Sequence, residues 1–241
     1  MTTAPDANAE IWNSDEAISH WISASDARER ARAPQWRLMA ELLPFSQDAP
    51  FTFLDLGAGT GAAARTIMDL YPKARAILAD FSPRMMAEGE RVLAPYEGRY
   101  RYVTFDMARG EWPEEIPKGL DAVVTSQCVH HIPDERKSGL FAEIFERLAP
   151  GGWYLNFDPV RPSDPHVEQA WERAARRQDP TATPRATGTP EEQARWENHV
   201  RHMVPLDPQM AFLRAAGFVG VDVFWKHLDA VIYGGVRPPA S

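Results

Sequence analysis

A single cysteine, Cys128, stands in 241 residues. One thiol closes no internal disulfide, so the chain must be held by its core, and the count agrees with a reducing compartment. Long apolar runs are missing too: no stretch approaches the roughly 18 residues that cross a bilayer. The opening "MTTAPDANAE" lacks a basic region followed by an apolar one, so no targeting segment and no membrane partner are expected, and the reading is cytoplasmic. Basic charge is scarce and scattered, with 26 Lys and Arg against 34 Asp and Glu and a net charge of -8. No broad electrostatic surface for a phosphate backbone is evident, which disfavours nucleic acid as a substrate without excluding a local patch. Arg173, Arg176 and Arg177 form a local basic cluster, for which a solvated helix face is the preferred reading and an anion site the alternative. Metal-ligand spacing is absent: Asp158 and His166 are near each other in sequence, but a metal normally takes three or more close ligands, so no metal is expected.

What is present is the composition of an ordinary globular protein, 44% hydrophobic and 25% charged, at a length that buries a sizeable core as one domain over 1–241. Residues 1–45 read as an N-terminal helical segment. Ser14 or Asp15 can cap one helix carrying Ile18, Trp21 and Ile22, and Ser25 or Asp26 a second that Pro44 ends. Five apolar runs of strand length follow, at 51–56, 74–79, 100–105, 120–126 and 151–157, separated mostly by helical patterns. In "PDERKSGLFAEIFERLAPGG" the spacing puts Leu140, Ile144, Phe145 and Leu148 on one helix face before a Gly151-Gly152 stop. Strands alternating with helices imply parallel pairing, so the fold class is α/β with an open doubly wound sheet. After Pro159 the alternation breaks, and 160–205 reads as a helical lid over the carboxyl edge of the sheet, with a plain surface insertion as the alternative. The end of the chain resumes as helix, Gly217 stop, strand, tight turn near Lys226 to Asp229, and strand, which requires an antiparallel pair.

The stretch "FLDLGAGTGAAA", residues 53–64, carries the strongest signal. Gly57, Gly59 and Gly61 let the backbone turn sharply and approach a ligand. Gly57-x-Gly59-x-x-Ala62, with an acid further on at Asp80, also satisfies the dinucleotide fingerprint. Asp55 argues the other way, because a carboxylate two residues before the turn repels a pyrophosphate and attracts an ammonium or sulfonium. Asp80 is placed for hydrogen bonding to a ribose diol, which suits both readings. Asp106 ends the next strand, where it can accept from the exocyclic amine of an adenine flanked by Met107 and Phe81.

These segments together resemble the class I S-adenosylmethionine-dependent methyltransferases over about 50–160 and 205–237. "LDLGAGTG" is similar to the family's glycine motif, "ADFSPRMM" to its ribose-acid segment with Asp80 and Met85 at matching places, and "TFDMARGEWP" to its adenine-side motif. "DAVVTSQCVHHI" and "LAPGGWYLNFDP" are similar to its fourth and fifth strands. The resemblance implies a Rossmann-like seven-stranded sheet in the order 3-2-1-4-5-7-6 with strand 7 antiparallel. It also implies S-adenosylmethionine as cofactor and S-adenosylhomocysteine as product. Asp55 and Gly57 would lie near the methionine moiety, with Gly59 and Gly61 in the same turn, Asp80 on the ribose hydroxyls, Phe81, Met85, Asp106 and Met107 around the adenosine, and Gln127 beside the methionine end.

Methyl transfer requires alignment, exclusion of water and, for some acceptors, removal of a proton. His130 and His131 follow the fourth strand and are candidate bases, His131 the preferred one; a structural role for the pair is the alternative. Trp21, Trp171 and Trp196, with His131 and Asp158, are candidates for the substrate site, since aromatic walls suit a planar or apolar small molecule. Packing between lid and N-terminal helices explains the tryptophans equally. The expected function is methyl transfer to O, N or C of a small molecule, of the kind found in bacterial secondary metabolism, by a monomer or homodimer. Competing readings are synthesis of a carboxylated S-adenosylmethionine derivative, a tRNA-uridine-modifying relative, and a non-methylating nucleotide-binding or NAD-dependent protein.

Overall fold

A computed structural model describes residues 25–179, 197 and 200–240. Its sheet is built from β1 (Thr52–Leu56), β2 (Arg75–Asp80), β3 (Tyr100–Thr104), β4 (Leu120–Ser126), β5 (Leu148–Pro159), β6 (Val219–His227) and β7 (Ala230–Val236). The helices are α1 (Ser25–Leu42), α2 (Ala62–Leu70), α3 (Pro83–Leu93), α4 (Asp134–Arg147), α5 (Pro165–Gln178) and α6 (Leu206–Ala216). The strand order is β3-β2-β1-β4-β5-β7-β6, with β7 antiparallel to both β5 and β6 and the other pairs parallel. This is the doubly wound α/β arrangement expected from the alternation, and β6 and β7 turn over Leu228 and Asp229 as the short link requires.

Alternation along the strands divides the core in two, because successive side chains point to opposite faces. On one face Phe53, Ala76, Leu78, Val124 and Leu155 pack against Trp36, Met39, Ala40 and Leu43 of the α1 segment and Ile67 and Met68 of α2. On the other, Leu54, Leu56, Ile77, Val123 and Tyr154 meet Leu140, Phe141 and Ile144 of α4 and Leu213 of α6. Each large side chain taken fully out of water contributes roughly 1.5–3 kcal/mol, so the two-sided burial of β1 and β4 fixes their register. Polar groups that must share this core satisfy one another. Thr125 Oγ1 donates to Asn156 Oδ1 at 2.7 Å, Asn156 Nδ2 donates to the Tyr233 hydroxyl at 2.8 Å, and that hydroxyl donates to Gln209 Oε1.

Two boundaries differ from expectation. Helix α4 stops at Arg147 rather than at the glycines, and Leu148 already pairs with Leu120 at the start of β5. The register shift between Leu120 and Ala122 shows why: β5 enters the sheet through an irregular stretch that absorbs Gly151 and Gly152. The lid segment is described only at its two ends. The Arg161 amide donates to the Val204 carbonyl at 3.0 Å, closing the base of the excursion. The buried Lys137 ammonium holds that closure by donating to the His202 carbonyl and to Asp134. Helix α5 is capped by Asp164, whose carboxylate accepts from the His166 amide at 2.7 Å. The expected helix through Ile18, Trp21 and Ile22, and most of the expected helical piece at 190–203, lie outside the described residues.

Candidate active site

Strand order reverses between β1 and β4, and the crevice at such a switch point, outside the carboxyl ends of the strands, is where open α/β sheets bind ligands. A cavity of about 330 Å³ opens there, a size suited to a small ligand. Its floor is the turn between β1 and α2. Gly57 and Gly61 hold φ angles of 74° and 79°, in the left-handed region. At Gly57 a Cβ would lie 2.7 Å from the Cys128 side chain and 2.9 Å from Met107 Cε, so glycine is required there for space as well as for φ. Gly61 serves the helix instead, capping α2 and fitting beneath Leu93 and Leu78, outside the cavity wall.

Five amides of this stretch, those of Gly57, Ala58, Gly59, Gly61 and Ala64, are engaged within the protein. Gly59 N–H donates to Asp80 Oδ2 at 2.7 Å, and Ala64 N–H donates to Asp55 Oδ2 at 3.1 Å. Gly57 N–H and Ala58 N–H both donate to the Ala79 carbonyl, and Gly61 N–H donates to the Ala58 carbonyl. In a phosphate-binding turn such amides would point at the ligand; here carboxylates take two of them. Asp80 also accepts from Ser82 N–H at 2.9 Å, and the Tyr102 hydroxyl braces the turn by donating to the Gly59 carbonyl at 3.0 Å.

Burial sets the electrostatics of this side of the cavity. Asp55 is 1% exposed, and loss of hydration pushes its carboxyl up to about 7, opposed by the Ala64 amide and assisted by the charge of Asp80. The Asp80 carboxyl is likewise raised by burial, against the amides of Ser82, Gly59 and Phe81 and with the help of the Asp106 charge. Asp106 caps its own turn through Ala108 N–H at 3.0 Å and pairs with Arg109 at 3.2 Å. Three carboxylates thus converge on one side of a cavity that Phe81, Met85, Phe105 and Met107 line with apolar surface. Neighbouring carboxylates, two of them raised by burial, are stabilised by a bound cation and repel a pyrophosphate.

Beside the glycine turn lies the end of β4. Gln127, at φ 58°, and Cys128 turn the chain into a short helical turn, Val129–His131. His130 is buried, and its Nδ1 lies 2.8 Å from Asp158 Oδ1. Burial, with the charges of Lys137 and Arg32, pushes its imidazole down to about 3, so it is neutral and Nδ1–H is the donor to Asp158. His131 packs against it with ring centroids 3.9 Å apart and planes tilted by 41°, and is the less buried of the two. The Cys128 thiol is pushed well up by burial and donates to the Leu56 carbonyl at 3.2 Å, so it packs and does not ionise.

The cavity wall therefore gathers Asp55, Gly57, Gly59, Asp80, Phe81, Met85, Asp106, Met107, Gln127, His130 and His131. Two of the expected substrate residues stand elsewhere. Asp158 is behind the wall, committed to His130, and Trp171 stacks under the Lys226 ammonium at 4.3 Å while packing on the core. Trp21 and Trp196 lie outside the described residues. Sequence reasoning missed Glu29, Arg32 and Trp36, which line the cavity from α1. Their spacing of three and four residues puts them on one helix face, which was a usable signal. Trp36 fixes that face to β4 by donating its indole N–H to Ser126 Oγ at 2.7 Å.

Comparison with known proteins agrees with this geometry. Residues 53–152 match the family model described as a methyltransferase domain. Acetylserotonin O-methyltransferase of Gallus gallus is 29% identical over 117 residues, covering 48% of this chain and 32% of the relative. Demethylmenaquinone methyltransferase of Thermus thermophilus is 29% identical over 134 residues, covering 50% of this chain and 59% of the relative. The chain thus spans less than two thirds of the length of these relatives. Among solved structures, human N-acetylserotonin methyltransferase in complex with SAM superposes with a TM-score of 0.64 at 18% identity, covering 99% of this chain and 61% of the other. An O-methyltransferase family protein of Burkholderia thailandensis gives 0.63 at 16% identity, covering 97% and 68%. Strand order and family match agree: residues 53–152 are similar to a methyltransferase domain, and the sheet has the fold of these solved methyltransferases.

Proposed function

We propose that the protein transfers a methyl group from S-adenosylmethionine to an O, N or C atom of a small molecule held at the His131 and Trp36 side of the cavity. The observation that carries this reading is that Asp80 takes the Gly59 amide and Asp55 the Ala64 amide, which lines a phosphate-type turn with carboxylates. Asp80 keeps acceptor capacity for a ribose diol beyond its two amide bonds, since a carboxylate offers about four lone-pair sites. Phe81, Met85 and Met107 would flank the base, Asp106 would accept from its amine, and Asp55 would lie toward the methionine portion. When bound, S-adenosylmethionine supplies an electrophilic methyl on a positively charged sulfur. The chain's own residues then align the acceptor, exclude water and take up a proton where the acceptor must lose one.

His131 is the proposed base, because its imidazole lines the cavity and is partly exposed, whereas His130 is buried and committed to Asp158. His130 is a positioning residue: locked by Asp158, it gives the His131 ring a fixed neighbour to pack against. The segment 160–205, closed at its base by Arg161 and Val204, serves as the lid. Titration calorimetry with S-adenosylmethionine, S-adenosylhomocysteine and NAD tests the reading. Both sulfur nucleosides should bind and NAD should not; the reverse order would overturn it.

A further inference from the structure

The link from β3 to β4, residues 105–119, has no helix or strand of its own, yet Phe105, Asp106 and Met107 of that link form part of the cavity wall. A connection of that length needs tertiary anchors to keep one conformation. The first turn of α4 supplies one. Arg136 Nε donates to the Met107 carbonyl at 2.7 Å, while Nη1 and Nη2 donate to the two oxygens of Glu143 at 2.8 and 2.6 Å. Glu143 also accepts from the Trp112 indole N–H at 2.7 Å, and Trp112 packs on Phe105 with ring centroids 4.5 Å apart. One carboxylate thus orients the guanidinium and anchors the link a second time. Two glycines make room for the guanidinium: a Cβ at Gly139 would lie 3.1 Å from Nη1, and one at Gly110 3.2 Å from Nη2. Gly139 stands inside α4, where glycine costs roughly 1 kcal/mol against alanine.

Arg136 acts on the peptide between Met107 and Ala108. The carbonyl of that peptide accepts from Arg136, and its N–H donates to Asp106 Oδ1 at 3.0 Å. Turning the peptide therefore turns the Asp106 carboxylate. We propose that Arg136, oriented by Glu143, is a positioning residue that aims Asp106 at the nucleobase, and that this aim makes the cavity select adenine over hypoxanthine. This rests on the nucleoside reading above and deepens it. The exocyclic amine of adenine donates to a carboxylate, whereas the carbonyl oxygen of hypoxanthine is an acceptor that a carboxylate repels. Met107 belongs to the cavity wall and Arg136 stands behind it, so the effect of Arg136 passes through the link and not through ligand contact.

Calorimetry with S-adenosylhomocysteine and its deaminated counterpart, S-inosylhomocysteine, tests this on the intact protein, Arg136→Met, Arg136→Lys, Glu143→Gln and Asp106→Asn, each with its melting temperature measured. The intact protein should favour the adenine compound by about tenfold or more, the worth of one hydrogen bond to a charged acceptor. Arg136→Met should weaken that compound and spare the hypoxanthine one, so that the preference falls to about threefold or less. Arg136→Lys, which keeps a donor for Met107 or Glu143 but not for both, should give an intermediate preference. In the Asp106→Asn background Arg136→Met should move the preference no further. Where Arg136→Met lowers the melting temperature, Glu143→Gln decides, since it leaves the guanidinium in place and should still reduce the preference. Equal weakening of both compounds by Arg136→Met and Glu143→Gln would reveal an anchor of the link alone and overturn the proposal. Equal binding of both compounds by the intact protein would overturn it too, with the nucleoside reading left standing. Failure of the intact protein to bind S-adenosylhomocysteine overturns the nucleoside reading and this proposal with it.

Discussion

Asp55 is a carboxyl group whose ordinary value of 3.8 is pushed up to about 7 by burial in a site lined by other acids. The sign of its effect on stability follows from proton counting. Below pH 3.8 the group is protonated folded and unfolded, and its contribution is fully present. As pH rises, the unfolded chain loses the proton first, so the folded state is progressively penalised until pH passes about 7, where both are ionised. A shift of that size corresponds to about 4 kcal/mol lost between the two limits. Asp55→Asn removes the titration while keeping an oxygen that accepts from Ala64 N–H, at a cost of about 1 kcal/mol for the weaker neutral bond. The variant should therefore be less stable than the intact protein or equal to it near pH 4, and more stable by about 3 kcal/mol at pH 8. For a chain of this size that gap is about 6–12 °C in melting temperature. Melting of the ligand-free protein and the variant at half-unit steps from pH 4 to 8, followed by circular dichroism, measures it. A melting-temperature difference that stays constant across that range would refute the reasoning, since a pH-independent gap cannot come from a titrating carboxyl.

Further substitutions probe other parts of the site. Asp80→Asn keeps one acceptor for Gly59 and Ser82 but loses charge and lone pairs, and should weaken S-adenosylhomocysteine by about tenfold to a hundredfold in calorimetry. Gly57→Ala drives a methyl against Cys128 and Met107 at a φ of 74° and should cost roughly 2 kcal/mol or more in denaturant unfolding, with cofactor affinity falling in parallel. Asp158→Asn replaces the carboxylate that holds His130 Nδ1 and should cost about 2 kcal/mol. On the proposed reading it lowers kcat more than it raises KM, because the His131 ring loses its fixed neighbour. His131→Ala should flatten the acidic limb of the kcat/KM profile; an unchanged limb would remove it from the base role.

The fold was legible because its signals are periodic. Apolar runs of strand length, the Gly217 stop and the two-residue link between β6 and β7 each constrain backbone directly, and the carboxyl ends of β1, β2 and β3 bring Asp55, Asp80 and Asp106 together by topology alone. The α4 boundary was misjudged because a glycine pair reads equally as a helix stop and as an irregular strand entrance, and only pairing with Leu120 decides. Trp171 shows a different limit. Its helix is polar and follows a long excursion, which points to a ligand wall, but the side chain lies beneath the Lys226 ammonium of β6, away from the cavity. Glu29, Arg32 and Trp36 were overlooked for the opposite reason. They belong to a helix whose burying face, through Met39, Ala40 and Leu43, looks like plain core packing, and their shared face, though legible from spacing, does not say that it overhangs a cavity.

The glycine turn carries a more general consequence. A turn of the form Gly-x-Gly-x-x-Ala offers amides, and amides alone favour an anion. What inverts the preference is that Asp80 reaches back across the β2 end to take the Gly59 amide, while Asp55 takes the Ala64 amide in the first turn of α2. Each carboxylate cancels a donor and adds negative potential to the cavity. On the proposed reading, the same backbone is changed from a phosphate cradle to a site for a cationic nucleoside by two side chains 25 residues apart in sequence. Burial makes the charge conditional: the Asp55 carboxyl, raised to about 7, ionises more readily when a positive charge stands beside it. Cation binding near neutral pH is then coupled to release of a proton from Asp55, and the sulfonium form of the nucleoside gains from that coupling where the neutral thioether product does not.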